Sequence, residues 1–251
     1  MAPNDSTPPG SGPDPAHSFG SVVDAYERGR PGYPEDAVRW LAGDEPRDVV
    51  DLGAGTGKLS RALVALGHRV MAIEPLPQML EHLADNAPGA FGVLGTAEVI
   101  PLPDAFADVV TSAQSFHWFD HELALPEIAR VLRPEGRLAV VWNIRDDDDP
   151  FMARLSALIG NERLAEGAGY GPLEESDLFG PVESAVFHHE QVVDRDTLLD
   201  LVLSRSHCAK LEQDDRAPVL EAVGRLYDEA AGPEGVRLPY VTHCYRAAKV
   251  A

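Results

Sequence analysis

The sequence predicts an α/β fold, a sheet with helices on both faces, and three observations lead there. From about Ser21 onward, short apolar runs alternate with amphipathic segments, the rhythm of strands and helices in alternation. One apolar run ends in an acid, Asp51, and enters a loop with glycine at alternate positions, Gly53, Gly55 and Gly57, before a helical pattern. After Trp142 the rhythm loosens into helical segments that interrupt the last two strand-like runs.

Asp48–Leu52 reads as a short buried strand. Lys58–Leu66 follows as a helix with Leu59, Leu63 and Leu66 on one face, and Gly67 stops it. Val70–Ile73 is the second strand, closed by Glu74 and Pro75. Gln78–Asn86 is helical, Phe91–Gly95 a third strand and Ala107–Ala113 a fourth. Leu123–Leu132 reads as helix, Arg133–Gly136 as a turn, and Arg137–Trp142 as the fifth strand. Pro150–Ala165 is expected to be helical and Glu183–Val193 a strand. Thr197–Ser204 and Arg216–Ala231 are expected as helices before a final strand, Val236–Ala247.

The 251 residues suffice for one large domain, and the 44% apolar content is ordinary for a folded chain. Five of the first 16 residues are proline, so residues 1–18 form a Pro/Gly/Ser-rich tail that cannot bury a core and is expected to be disordered. Residues 19–251 make the folded domain, with a cofactor-binding core over 19–145 and an acceptor-pocket insertion within 146–251. The tail has neither the basic start nor the apolar run of a signal peptide, and no stretch approaches a membrane span. A cytoplasmic protein is the expectation. Cys208 and Cys244 lie outside any metal-type spacing and read as reduced thiols. With 21 basic against 41 acidic side chains the net charge is −20, which disfavours nucleic acid or an anionic membrane as partner.

Three ligands commonly face a glycine loop of this kind: a nucleoside triphosphate, a dinucleotide, or a nucleoside without phosphates. A P-loop needs glycine five positions before its Gly-Lys pair and Ser or Thr after the lysine, where this chain has Leu52 and Leu59. The dinucleotide spacing would put its third glycine at Lys58. The remaining pattern carries an acid, Asp51, just before the loop, which repels a pyrophosphate but suits a cationic amino-acid moiety. Glu74 ends the second strand where nucleotide folds of this topology place a ribose-binding carboxylate. A ligand with a ribose, a positive charge and no phosphate fits these residues, and S-adenosylmethionine has all three properties.

VVDLGAGTGKLS, MAIEP, GTAEVIPLPDAFADVVTSAQSFHWFD and RVLRPEGRLAVVWN, taken in order, resemble the successive motifs of class I S-adenosylmethionine-dependent methyltransferases. The resemblance spans roughly Ser21 to Ile144 and is nearest to the small-molecule branch with the ubiquinone/menaquinone-type and trans-aconitate-type enzymes. It implies a Rossmann-like, seven-stranded sheet whose last strand, Val236–Ala247, runs antiparallel. It also implies that the Gly53, Ala54 and Gly55 backbone faces the methionine part of S-adenosylmethionine, with Asp51 nearby. Glu74 would hold the ribose and Leu76 pack on the adenine. Relatives often follow the third strand with Asp-Ala; here the stretch is Thr96-Ala97-Glu98, so Ala97 supplies backbone and Thr96, Glu98 or water the polar contact. Gln114 would lie beside the sulfonium. YERGRPGYP resembles an N-terminal segment that closes over the cofactor, in which Arg30 pairs with its carboxylate and Tyr26 bonds near it; the alternative is a solvated, proline-bent arm.

The expected activity is methyl transfer to a small-molecule acceptor, most readily at oxygen, leaving S-adenosylhomocysteine. The alternative is a non-catalytic S-adenosylmethionine-binding or regulatory protein on the same fold. His117, after the fourth strand, is the candidate base; it can equally touch acceptor or cofactor, or merely pack between Phe116 and Trp118. Trp118 and Phe119 are candidate pocket walls. Asn143 and Arg145 follow the fifth strand, where Arg145 can bind a carboxylate acceptor or serve as a surface ion-pair partner. The consecutive acids Asp146–Asp149 point their side chains apart and read as a solvated loop, so no metal is expected. His188, His189, His207 and His243 have no metal-ligand spacing.

Overall fold

The strand that leads into the glycine loop sits at the centre of the sheet. In the computed structural model, which describes residues 27–160, 169–204 and 213–250, β1 (Asp48–Leu52) pairs in parallel with β2 (Arg69–Glu74) and with β4 (Ala107–Ala113). β1 is buried along almost its whole length, as the near-continuous apolar run of an inner parallel strand requires. β3 (Ala90–Leu94) pairs in parallel outside β2, and β5 (Leu132–Arg145) outside β4. β7 (Val236–Ala248) runs antiparallel to β5, and β6 (Glu183–Val193) antiparallel to β7, giving the order β3-β2-β1-β4-β5-β7-β6. All seven expected strands are present. The order reverses between β1 and β4, the place where open α/β sheets bind ligands beyond their carboxyl ends.

Alternation along the strands sorts the core into two layers. Val49, Val70, Val109, Ala139 and Val141 face one side, under α1 (Glu35–Ala42) and α2 (Lys58–Ala65). Val50, Leu52, Val110, Leu138 and Val140 face the other, under α4 (His121–Val131). α3 (Pro77–Asn86) places Leu83 and Ala87 on Ala72. Farther along, α5 (Pro150–Ile159) and a single turn, α6 (Gly171–Glu174), precede β6. Between β6 and β7 lie α7 (Arg195–Leu203) and α8 (Gln213–Ala230), the expected helical insertion. With α5 these helices form a third apolar cluster over Val236, Leu238 and Tyr240.

Three features depart from expectation. α1 was not anticipated, although Glu35 and Asp36 suit its first turn and Ala37, Val38, Leu41 and Ala42 form its buried stripe. The expected turn at Arg133–Gly136 is a bulge inside β5: Ala107 pairs with Leu132 but Val109 with Arg137, and Glu135 absorbs the excess at φ 63°. The helix expected over 150–165 stops at Ile159, because Gly160 turns to φ 84°. The tail, Tyr26, His207 and Cys208 lie outside the described residues. Cys244 is a buried free thiol, and burial pushes it up to about 12.

Candidate active site

The three loop glycines all have positive φ, at 64°, 57° and 87° for Gly53, Gly55 and Gly57, but for different reasons. A Cβ on Gly53 would stand 2.7 Å from Ser115, and one on Gly57 3.0 Å from Leu83 and Ala87, so both are also fixed by close packing. A Cβ on Gly55 would meet nothing within 4 Å. The middle glycine therefore turns its bare face to open space. The Gly53 and Ala54 amides both donate to the Ile73 carbonyl, which binds the loop to the end of β2.

Glu74 closes this arrangement. It is 5% exposed; Oε2 accepts the Gly55 amide at 2.9 Å and Oε1 the Leu76 amide at 3.1 Å. Burial raises its pKa against the opposing pull of these two N–H groups. Asp51 lies beneath the loop rather than on its surface. It is fully buried and accepts from the Ser60 hydroxyl at 2.6 Å and the Thr111 hydroxyl at 2.9 Å. Burial pushes it up to about 6, opposed by the two hydroxyls and reinforced by the charge of Glu74. Leu76 caps α3 half-exposed, Ala97 is buried, and Thr96 is exposed. Glu98 accepts the Asp120 amide at 3.0 Å. Burial acts to raise its pKa, yet that amide, its own N–H, the Thr96 hydroxyl and His121 together hold it below the usual range.

Beyond the loop opens a cleft between residues 30–33 and the carboxyl ends of the strands. Gly53–Thr56, Lys58 and Leu59 form one wall, and Ala113, Gln114, Asn143 and Tyr240 the opposite wall. Gln114 has a non-glycine φ of 60°, a strained geometry that its surroundings enforce. Its amide donates to Val141 O at 2.9 Å, and its side-chain Nε2 to Asn143 O at 3.1 Å. The Asn143 side chain in turn donates to Gly32 O at 2.8 Å and accepts from the Thr242 hydroxyl at 2.7 Å.

Residues 27–33 form a strap across the cleft, bonded at both ends, where a solvated arm was the alternative. Glu27 accepts the Thr56 hydroxyl at 2.6 Å and pairs with Lys58 at 3.3 Å and Arg61 at 3.2 Å. At the far end Arg28 pairs with Asp200 at 2.7 Å, and Arg30 donates to the Ser204 hydroxyl and carbonyl. Gly29 passes so close to α7 that a Cβ would overlap the Leu201 backbone. Arg30, Pro31 and Tyr33 face the cleft.

The candidate base is not brought to the cleft wall. His117 sits on an exposed 3-10 turn, Phe116–Trp118, with its ring 4.8 Å from Trp118, and burial by its neighbours and then the charge of His121 lower its pKa. Trp118 is 76% exposed. Phe119 does reach the loop, lying 3.7 Å from the place a Gly53 Cβ would occupy. Arg145 is no surface ion-pair partner: it is 6% exposed, and its one hydrogen bond among the described residues runs from Nη2 to Gly160 O at 2.5 Å. Asp147 accepts from Ser156, and Asp149 caps α5 through the Phe151 and Met152 amides. Among the described residues, no three His, Cys, Asp or Glu side chains gather as a metal-ligand set.

Lys58 and Tyr240 were missed as cleft residues. Lys58 registered only as a break in the glycine spacing. Tyr240 reaches the cleft through the β5–β7 register, which pairs it with Arg145, and local sequence carries no sign of that pairing.

A family model described as a methyltransferase domain matches residues 50–140. The chain is 42% identical to an uncharacterised methyltransferase of Mycobacterium tuberculosis, over 93% of this chain and 96% of that one. It is similar to a malonyl-[acyl-carrier protein] O-methyltransferase of Methylococcus capsulatus, 42% identical over 49% of this chain and 48% of that one. A solved type II methyltransferase of Anaeromyxobacter dehalogenans matches with a TM-score of 0.63 and 26% identity, over 88% of this chain and 97% of that one. With its glycine loop, its sheet order and these relatives, the chain belongs to the class I S-adenosylmethionine-dependent methyltransferases.

Proposed function

We propose that this chain binds S-adenosylmethionine under the strap and transfers its methyl group to an oxygen atom of a small-molecule acceptor. The observation that carries the reading is the Glu74 carboxylate, buried and aimed by the Gly55 and Leu76 amides. Each oxygen takes one N–H and keeps acceptor capacity for a ribose hydroxyl. The open face of Gly55 offers the close backbone approach such a ligand needs, and the buried acids Asp51 and Glu74 oppose a pyrophosphate there.

Other residues take roles consistent with their placement. The Gly53–Gly55 backbone receives the methionine part, supported from below by Asp51 rather than touched by it. Leu76 offers half-exposed apolar surface to the adenine. Ala97 lends its backbone, and Thr96, exposed and bonded through its hydroxyl to Glu98, keeps acceptor capacity on that oxygen for the adenine amino group. Arg30, which faces the cleft from the strap, meets the carboxylate. Gln114, pinned to Asn143, stands beside the reacting centre, and Phe119 and Asn143 flank the acceptor. His117 and Trp118 serve the rim.

When bound, S-adenosylmethionine supplies an electrophilic methyl carbon and a neutral thioether leaving group. The strap and the walls then orient the acceptor and exclude water, and orientation alone can contribute roughly 7–11 kcal/mol. The O-methyltransferase relative supports oxygen as the acceptor atom. Incubation with methyl-labelled S-adenosylmethionine and a panel of carboxylic acids, phenols and amines tests the proposal. Label is expected on oxygen. Label on nitrogen or carbon contradicts that part, and failure to bind S-adenosylmethionine by calorimetry sinks the whole.

A further inference from the structure

We propose that the acceptor is a small carboxylic acid, anchored by the Arg145 guanidinium and released as its methyl ester. This inference rests on the methyl-transfer reading above and specifies its substrate class.

Arg145 is 6% exposed, and its Nε and Nη1 are buried with no hydrogen-bond partner among the described residues. A guanidinium withdrawn from water with donors unmet is among the costliest arrangements a protein can hold, unless a counter-ion arrives. Among the described residues no carboxylate bonds it. Tyr240 and then Asp147 act on Arg145 through longer-range attraction, and Asp147 Oδ1 itself accepts from Ser156. Arg30 adds repulsion. The vacant donors therefore call for an anionic ligand.

Position points the same way. Arg145 is the last residue of β5 and stands opposite Tyr240 in register, so the two side chains share a face of the sheet. Tyr240 lines the cleft, as does Asn143, two residues before Arg145 on the same face. Arg145 thus follows two cleft-lining positions on one sheet face, just behind the wall they form. In a chain of net charge −20, the cleft wall carries Arg30 and Lys58 but no acid and no histidine among the described residues. An alcohol or phenol would need a base there. A carboxylate arrives already ionised.

The step balances without one. A carboxylate oxygen lone pair forms the new bond to the methyl carbon as the carbon–sulfur bond breaks, and that bonding pair goes to sulfur. One negative and one positive charge become a neutral ester and a neutral thioether, and no proton moves. The ester has lost the charge that Arg145 held, which favours release.

The test uses the full chain with methyl-labelled S-adenosylmethionine and short-chain mono-, di- and tricarboxylic acids, each beside its primary amide. The expected result is label on one or more acids, released as methanol by mild base, and none on the amides. Arg145→Met should raise KM for that acid roughly 10–100-fold, as expected for lost hydrogen bonds to a charged group, with S-adenosylmethionine affinity by calorimetry unchanged. The same variant should melt within about 3 °C of wild type or higher, because it removes a buried charge without a counter-ion. Base-stable label, label on no acid of the panel, or a clear fall in melting temperature overturns the inference. S-adenosylmethionine binding measured on the same sample separates the cases: if it is absent, the methyl-transfer reading fails; if it is present, only the carboxylate assignment does.

Discussion

The Glu74 carboxylate accepts the Gly55 amide at 2.9 Å, so the residue that ends β2 fixes the middle of the loop that follows β1. Two adjacent parallel strands are thereby joined at their carboxyl ends by a charge-assisted hydrogen bond. The oxygens that orient the loop are the ones assigned to the ribose, so loop geometry and ligand binding depend on one side chain.

The loop glycines should separate stability from binding. Gly53→Ala meets Ser115 at 2.7 Å and keeps a strained φ of 64°, so it should cost at least about 2 kcal/mol in urea unfolding. Gly55→Ala has open space around its Cβ and should cost only about 1–2 kcal/mol from its φ. It should nevertheless weaken S-adenosylmethionine binding at least ~10-fold by calorimetry, because the new methyl stands where the ligand backbone approaches. Equal affinity in Gly55→Ala would place the ligand elsewhere.

Asp51 predicts a pH signature. Its carboxyl is held at about 6 in the fold against 3.8 ordinarily, so the folded state binds this proton more tightly than the unfolded state. Its contribution is most favourable at low pH and is lost as pH rises from about 4 to about 6. The loss amounts to roughly 2–3 kcal/mol. In Asp51→Asn that slope should vanish, so wild type should lose that amount of stability relative to the variant from pH 4 to pH 7. Parallel pH profiles from denaturant titrations would contradict the buried state of Asp51.

His117→Ala should change kcat by less than ~10-fold, far from the 10²–10⁴-fold typical of a lost general base. The ring stands on an exposed turn away from the cleft wall, and a carboxylate acceptor requires no deprotonation. Steady-state kinetics with the labelled acid from the acceptor panel measures this.

The inner strands β1, β2 and β4 were legible as short apolar runs, and the glycine loop announces itself by alternate spacing. α1 was not, since EDAVRWLA is only eight residues long and follows a proline-rich segment that reads as irregular. The bulge at Glu135 was read as a turn because Arg-Pro-Glu-Gly has turn composition, and only pairing with β4 keeps it in the strand. Glu74 was found from its distance to the glycines, a local measure. The acceptor side was harder. Tyr240 meets Arg145 across strands some 95 residues apart in sequence, and neither the insertion nor the strap shows in advance which side chains it will bury. Which of its three readings His117 would take was not legible for a related reason: a single 3-10 turn decides which way its ring faces.

The central claim is that Glu74 organises an S-adenosylmethionine site, and calorimetric titration of wild type and Glu74→Ala with S-adenosylmethionine tests it most directly. The account predicts one molecule bound per wild-type chain and a loss of roughly 10–100-fold in affinity in the variant, with far-ultraviolet circular dichroism unchanged. Equal affinity in the two proteins, or no heat of binding in wild type, would contradict it.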